Sequence, residues 1–362
     1  MRILSWALVS LLSLSLPCIA QQTSPAPESP VQPGPAQPSS ADAPDRQINL
    51  DVVVTDRTGK VIPGLKQQDF SIFDNKRPSN ILSFRAVNAA EATSDPVEIV
   101  LVMDQVNTGF DRVAFERDEV KKFLTRNGGK LANPISLVFF SDLGTQIMNT
   151  PSRDGNALAA SIDQNQNSLR TIRRSQGFYG AEDRFQLSLK MLSSLAVAEA
   201  AKPGRKIVIW ISPGWPMLSG PRIQLSRNDL NQLFKMIVGM SGQLRQAGIT
   251  LYSLDPLGLA DSGGLRTTYY EEFLKGVTGP NRVDMGNLAL QVIATQSGGL
   301  VTYGSNSIVA GIDRSIADLN AYYVLSMQAA PADKADEYHG LEVKIATPGL
   351  TARTRTGYYA QP

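Results

Sequence analysis

One cysteine and one histidine in 362 residues set the first limits on chemistry. The cysteine, Cys18, lies in an apolar leader. Once that leader is cleaved, no thiol remains for disulfides, thiolate metal sites, cysteine nucleophiles or redox reactions. The lone histidine, His339, leaves no multi-histidine metal site and little room for a Ser-His-Asp triad. Neither sign of charge dominates, with 35 Lys and Arg against 33 Asp and Glu, so composition points to no nucleic-acid partner. Long apolar runs are missing except at the start. There Met1-Arg2 precedes the apolar stretch 3–16, too short for a comfortable membrane span, and Cys18-Ile19-Ala20 supplies small residues before Gln21. This pattern predicts a secretory signal over residues 1–20, hence an exported chain, periplasmic or extracellular, with no membrane insertion after cleavage.

Residues 21–46 are rich in Pro, Ser, Ala and Gln, with Pro at 25, 27, 30, 33, 35, 38 and 44. Such a segment carries too little apolar surface to offset its ordering entropy and is predicted to be a flexible tether. Short strands are predicted over 48–55, 61–65, 70–74 and 81–84, with a turn at Asn75-Lys76-Arg77-Pro78. Four short strands within 47–90 are too few to close a core, so they need partners. Residues 97–320 alternate strand with helix, which implies right-handed crossovers and a mainly parallel sheet flanked by helices. The tail, 321–360, returns to strands at 322–327, 340–345 and 351–359. The expected architecture is therefore an α/β domain inserted between two halves of a small β-sandwich.

The stretch 97–108 organises the rest. Val97, then Ile99–Met103, form a short apolar run suited to a strand buried on both faces, and it meets a carboxylate at Asp104. A polar loop and a helix from about residue 111 follow. That order puts Asp104 at the carboxyl end of a sheet strand, where open α/β sheets bind ligands. Asp104 and Asn107 are equally suited to ordering the loop backbone and capping the next helix. Asp142 and Asp255 also end strands, so three carboxylates could share one sheet edge, the arrangement a hydrolase would need. Arg170, Arg173, Arg174 and Arg184 offer either an anion-binding rim or a solvated loop. Trp215 and Tyr269-Tyr270 suit either partner contact or core packing. Gly298-Gly299 reads as a turn, lacking the flanks of a phosphate loop.

Several stretches together carry a family likeness. They are Ile48–Thr55 with Gln68-Asp69-Phe70, the strand ending Asp104-Gln105-Val106-Asn107-Thr108, Trp210-Ile211-Ser212-Pro213-Gly214, Leu251–Pro256, Ser297-Gly298-Gly299, Tyr322–Leu325, and Arg353-Thr354-Arg355-Thr356-Gly357-Tyr358-Tyr359. In order and spacing the chain resembles von Willebrand factor A (VWA) domain proteins, above all the VWA-related secreted proteins of Acidobacteria. The resemblance implies a Rossmann-like fold and a non-catalytic protein-binding or adhesion module whose partner docks on the strand-end loops. It also implies a metal-ion-dependent adhesion site for Mg²⁺ or another divalent cation, with ligands in the pattern Asp-x-Ser-x-Ser plus a loop Thr and a strand-end Asp. Hard cations take such oxygen ligands. Asp104 and Thr108 match two of those positions. Val106 and Pro213 stand at two others and supply no side-chain oxygen, so the site is degenerate. A cation held by Asp104, Thr108 and Asp183 with waters, or no cation at all, are the two outcomes the resemblance leaves open. Rival readings are a metal-dependent hydrolase on the strand-end carboxylates and a scaffold that binds nothing.

Overall fold

The computed structural model describes residues 46–88, 96–148, 150–165, 177–218, 225–257, 268–304 and 307–362. The predicted signal, nearly all of the predicted tether, and Arg170, Arg173 and Arg174 lie outside these residues.

Four strands open the described chain: β1 (Gln47–Thr55), β2 (Phe70–Asp74), β3 (Arg77–Ser79) and β4 (Ile81–Asn88). The stretch predicted as a strand at 61–65 makes only an isolated bridge, Thr55 to Val61. The stretch read as a turn at 75–78 instead leads directly into β3. Asn75 and Lys76 take left-handed φ values of 46° and 66° and form the tight turn by themselves, which frees Arg77 to pair with Asp74.

The α/β part follows as β5 (Val97–Asp104), α1 (Phe110–Thr125), β6 (Lys130–Ser141), β7 (Gly144–Ile147), β8 (Ser152–Asp154), α2 (Gly155–Gln164), α3 (Gly177–Ala200), β9 (Arg205–Ile211), α4 (Arg227–Gln246), β10 (Ile249–Leu254), α5 (Leu290–Gln296), β11 (Val301–Thr302) and α6 (Ile308–Ile316). Its sheet runs in the order β11-β10-β9-β5-β6-β7, with β8 also on β6. All neighbours are parallel except β7 and β8. Leaving β8 aside and counting from β5, this is the order 3-2-1-4-5-6 of doubly wound sheets, whose switch point falls between β5 and β9.

Strand alternation builds a core on each face. Ile99, Leu101 and Met103 face a cluster with Val120, Phe123, Leu158 and Ile312 of α1, α2 and α6. Val100 and Val102 face Phe185, Leu192, Phe234 and Leu290 of α3, α4 and α5. Local signals fix several helix starts. The Asp154 side chain accepts from the Asn156 and Ala157 N–H groups at the start of α2, and Ser226 with Asp229 forms a capping box on α4. Between α5 and β11, Gly298 takes φ +93°, and a Cβ at Gly299 would stand 1.7 Å from the Leu251 carbonyl oxygen, so both positions exclude side chains.

The chain ends in β12 (Ala321–Gln328), β13 (Glu337–Ile345), β14 (Thr351–Arg353) and β15 (Gly357–Ala360). They join the opening strands in two antiparallel sheets, β14-β1-β12-β4 and β15-β13-β2-β3. Leu50 and Val52 of β1, Ile72 of β2, Leu325 of β12, Val343 of β13 and Tyr358 of β15 share one core between them. The fold is thus an α/β unit with a mainly parallel sheet, set between the two sequence halves of a β-sandwich.

Candidate functional site at the strand ends

Asp104 continues the alternation of β5, so it points to the same face as Val100 and Val102. On β9, Val208 and Trp210 belong to that face too. Trp210 pairs with Val102, which puts its long indole beside the carboxylate two residues further along β5. The Trp210 Nε1–H donates to Asp104 Oδ2 at 2.8 Å. Asn107 Nδ2 donates to the same oxygen at 2.8 Å. The backbone N–H groups of Val106 and Asn107 donate to Oδ1 at 3.0 and 2.9 Å. The Ser212 hydroxyl also acts on the carboxylate. Asp104 is fully buried, and its roughly four lone-pair directions are spent on protein donors. Burial pushes its pKa up, and the bonds from Trp210 and Asn107 oppose that shift.

The loop-ordering role proposed for Asp104 is therefore present, but the capping role is not. Gly109 stands at the N-cap of helix α1, with no side-chain cap. The carboxylate closes a turn one residue past its own strand instead.

The other positions of the degenerate motif have distinct fates. Val106 is buried in the α3–α4–α5 core, so packing occupies the place a ligating Ser would take. Pro213 is buried just past β9. Asp183 is exposed on α3, and the α3 residue that reaches the loop is Ser188, whose Oγ accepts from Asn107 Nδ2 at 2.9 Å. Five residues separate the two, about 140° around a helix of 3.6 residues per turn, so they occupy different faces. The Thr108 hydroxyl is buried and faces the Glu116 carboxylate without a hydrogen bond of ordinary geometry. Behind it, on α1, Glu116 buries both carboxylate oxygens, again without a hydrogen bond of ordinary geometry. Burial pushes the Glu116 pKa well up, and the Asp104 charge adds to the shift, while Arg117 and Thr108 pull the other way. Direct coordination by Asp104 would require one of its N–H donors to leave. As arranged, these residues do not fit an inner-sphere bond from Asp104 to a cation, and no group of three or more His, Cys, Asp or Glu suited to metal exists among the described residues.

The three-carboxylate edge does not assemble. Strands β9 and β5 lie between β10 and β6, which puts Asp255 and Asp142 about 14 Å apart at a strand spacing of about 4.8 Å. Asp255 Oδ1 accepts the Leu257 N–H at 2.9 Å and so serves a turn. Of the candidate contact aromatics, Trp215 packs edge-on against Trp210 at 5.1 Å and is buried, and Tyr270 is buried with Ala289 and Val292. Core packing claims both.

Sequence reasoning missed Trp210, Ser188 and Glu116. A tryptophan in a strand and a serine or glutamate in a helix carry no local signal of the partners that packing gives them. Sequence reasoning also passed over three large apolar side chains that this end of the molecule leaves exposed. Leu143 sits in the β6–β7 hairpin, Tyr179 on the first turn of α3, and Tyr303 just after β11, with exposures of 66%, 77% and 40%.

No protein-family model matches the chain, and no relative is found among curated proteins. Among solved structures it is similar to the pilus adhesin SpaC of Lactobacillus rhamnosus GG, with 11% identity and a TM-score of 0.38 over 83% of this chain and 49% of that one. It is also similar to the VWA domain of SpRpn10, with 10% identity and a TM-score of 0.27 over 62% and 98%. A third is the manganese-loaded TRAP protein of Plasmodium vivax, with 8% identity and a TM-score of 0.32 over 76% and 97%. The chain spans about half the length of the pilus adhesin. These likenesses concern the fold.

Proposed function

We propose that this chain is an exported, non-catalytic protein-binding module of the VWA type, working in the periplasm or outside the cell, and that its partner docks on the loops at the carboxyl end of the parallel sheet. The observation that carries this reading is the exposure of Leu143, Tyr179 and Tyr303 on separate segments along that end of the sheet. Large apolar and aromatic side chains left in solvent at the carboxyl end of such a sheet favour protein interfaces. The sequence resemblance supports the same reading. On this reading the Asp104 loop is fixed by Trp210, Asn107 and the backbone, so the degenerate adhesion site holds its shape without a cation.

The test immobilises the full chain and exposes it to proteins of its own cell envelope, beside a variant carrying Leu143→Ser, Tyr179→Ser and Tyr303→Ser. A protein retained by the parent and lost by the equally stable variant supports the docking face. Equal retention by both overturns it. Retention unaffected by chelator supports the metal-free arrangement. Loss with chelator, restored by Mg²⁺ or Mn²⁺, transfers the site to a cation held through Asp104, Thr108 and Asp183. Turnover of phosphate or acyl esters that disappears in Asp104→Ala would replace both readings by the hydrolase.

A further inference from the structure

A cavity of about 400 Å³ opens at the other end of the sheet, where the amino ends of β9 and β10 meet β1, β4 and β12 of the sandwich. Seven residues of strand separate Arg205, in its wall, from Ser212 at the Asp104 site, about 23 Å at about 3.3 Å per residue. The two sites are independent.

The cavity is lined by six cationic side chains, Arg85, Lys202, Arg205, Lys206, Arg245 and Arg355, and by one carboxylate, Asp51. The lysines have local partners. Lys202 Nζ lies 2.7 Å from Glu199 and 3.4 Å from Glu98, and Lys206 Nζ donates to the Lys202 carbonyl. Arg205, Arg245 and Arg355 are less well matched. Arg205 is buried, its guanidinium lies over the Tyr322 ring at 4.4 Å, and its Nε stands 3.4 Å from Asp51. Yet its Nε and Nη1 make no hydrogen bond, although both are shut off from bulk water at the cavity wall. Buried guanidinium donors are costly to leave unused. Arg245 stands near enough to Arg355 to repel it. Burial, reinforced by that repulsion, lowers the Arg355 pKa to about 10, and Asp51 opposes the shift. Burial also lowers Arg245. A purely structural cluster would balance like charges with carboxylates. Here Arg205, Arg245 and Arg355 line the cavity with one carboxylate, Asp51.

We propose that this cavity binds a compact, multiply charged tetrahedral oxyanion, a phosphate or sulfate group, with Arg245 and Arg355 as its direct ligands and the buried Arg205 charge behind them. The planar fork of arginine matches two oxygens of such a group at once, and a half-buried site strengthens each bond. The anion lies against the Arg245 and Arg355 forks, removes their mutual repulsion and offsets the charge that Arg205 buries at the cavity wall. The volume accommodates more than one such group, so a pyrophosphate-sized anion fills it better than a single phosphate does. Net charge near zero hid this feature, because the cations are concentrated by folding and not by sequence.

The test measures thermal stability and calorimetric binding of the full chain with pyrophosphate, with inorganic phosphate, and with a sulfated heparin disaccharide, each against sodium chloride at matched ionic strength. A saturable stabilisation by any of the three is expected, growing with ligand concentration as mass action requires. Binding of the inorganic anions points to a free ion, and binding of the disaccharide alone points to a sulfated sugar. Arg355→Gln is expected to weaken binding about tenfold or more, the scale set by losing a charge-assisted bidentate contact. Without ligand, that variant should melt no lower than the parent, because it removes a repelled charge. A structural arginine would give the opposite sign. Should Arg355→Gln fold poorly, Arg245→Lys keeps the charge, removes the fork and should still lose affinity. Stabilisation no greater than that from chloride, or equal binding by parent and variants, overturns the proposal.

Discussion

Trp210 and Asp104 sit on adjacent strands, and the indole N–H of one donates to the carboxylate of the other at 2.8 Å in a fully buried setting. This bond joins the two strands that flank the switch point, and it spends on the protein an oxygen that the family resemblance assigns to a metal centre.

Removing the donor should therefore cost stability as well as shape. Trp210→Phe leaves Asp104 Oδ2 with one donor fewer and opens a void, so a loss of about 2–4 kcal/mol is expected. Asp104→Asn should cost as much or more, because its amide must turn an N–H toward existing donors. Urea unfolding measures both. A loss below about 0.5 kcal/mol for either would show that the bond is not formed in solution.

Saturation of the carboxylate also fixes the expected response to cations. Titration calorimetry of the parent with Mg²⁺, Mn²⁺ and Ca²⁺ should show no saturable binding that Asp104→Ala removes. Such binding, if it appeared, would mean that the Trp210 or Asn107 donor gives way to metal.

Glu116 predicts a pH dependence. Its pKa is raised in the folded protein, chiefly by burial and then by Asp104. The native state therefore keeps a proton that the unfolded chain releases near pH 4.3. Its contribution is fully present below that pH and is lost as pH climbs toward the folded-state value. Glu116→Gln should match the parent at pH 4 and exceed it in melting temperature by a margin that widens toward neutrality. A constant difference across this range would contradict the burial of an ionisable Glu116.

In the sandwich, Asp74 serves two buried partners. Its Oδ1 lies 2.8 Å from His339 Nδ1, and its Oδ2 accepts the Tyr358 hydroxyl at 2.6 Å, with the two rings stacked at 5.1 Å. Asp74→Ala strands both groups and should cost about 2–4 kcal/mol, whereas Tyr358→Phe should cost about 1 kcal/mol. Losses in the reverse order, read from denaturant midpoints, would show that the carboxylate is not the centre of this cluster. The only histidine thus has a structural place.

Much of the fold class is local information. The apolar run Ile99–Met103 ending in Asp104, the pattern of strands and helices after it, and the Gly298-Gly299 turn each follow from side-chain periodicity or from φ, which neighbouring residues set. Composition needs even less, since a chain with one histidine and one cysteine is barred from multi-histidine sites and internal disulfides however it folds. The strand missed at Arg77–Ser79 marks the limit of local signals, because a turn of Asn75 and Lys76 needs no glycine to form.

The site depended on longer-range facts. The Asp104 carboxylate takes a donor from Trp210, 106 residues away and indistinguishable in sequence from strand core. Its place beside the carboxylate comes from the parallel register of β5 and β9, which only the packed sheet sets. Likewise Tyr179 and Trp215 look alike as aromatics in loops, and burial alone separates the exposed one from the packed one. Residue order thus settles which elements form and which chemistries are barred. Packing settles which polar atoms share a space, because hydrogen bonding and charge repulsion act over a few ångströms between residues that the chain keeps far apart.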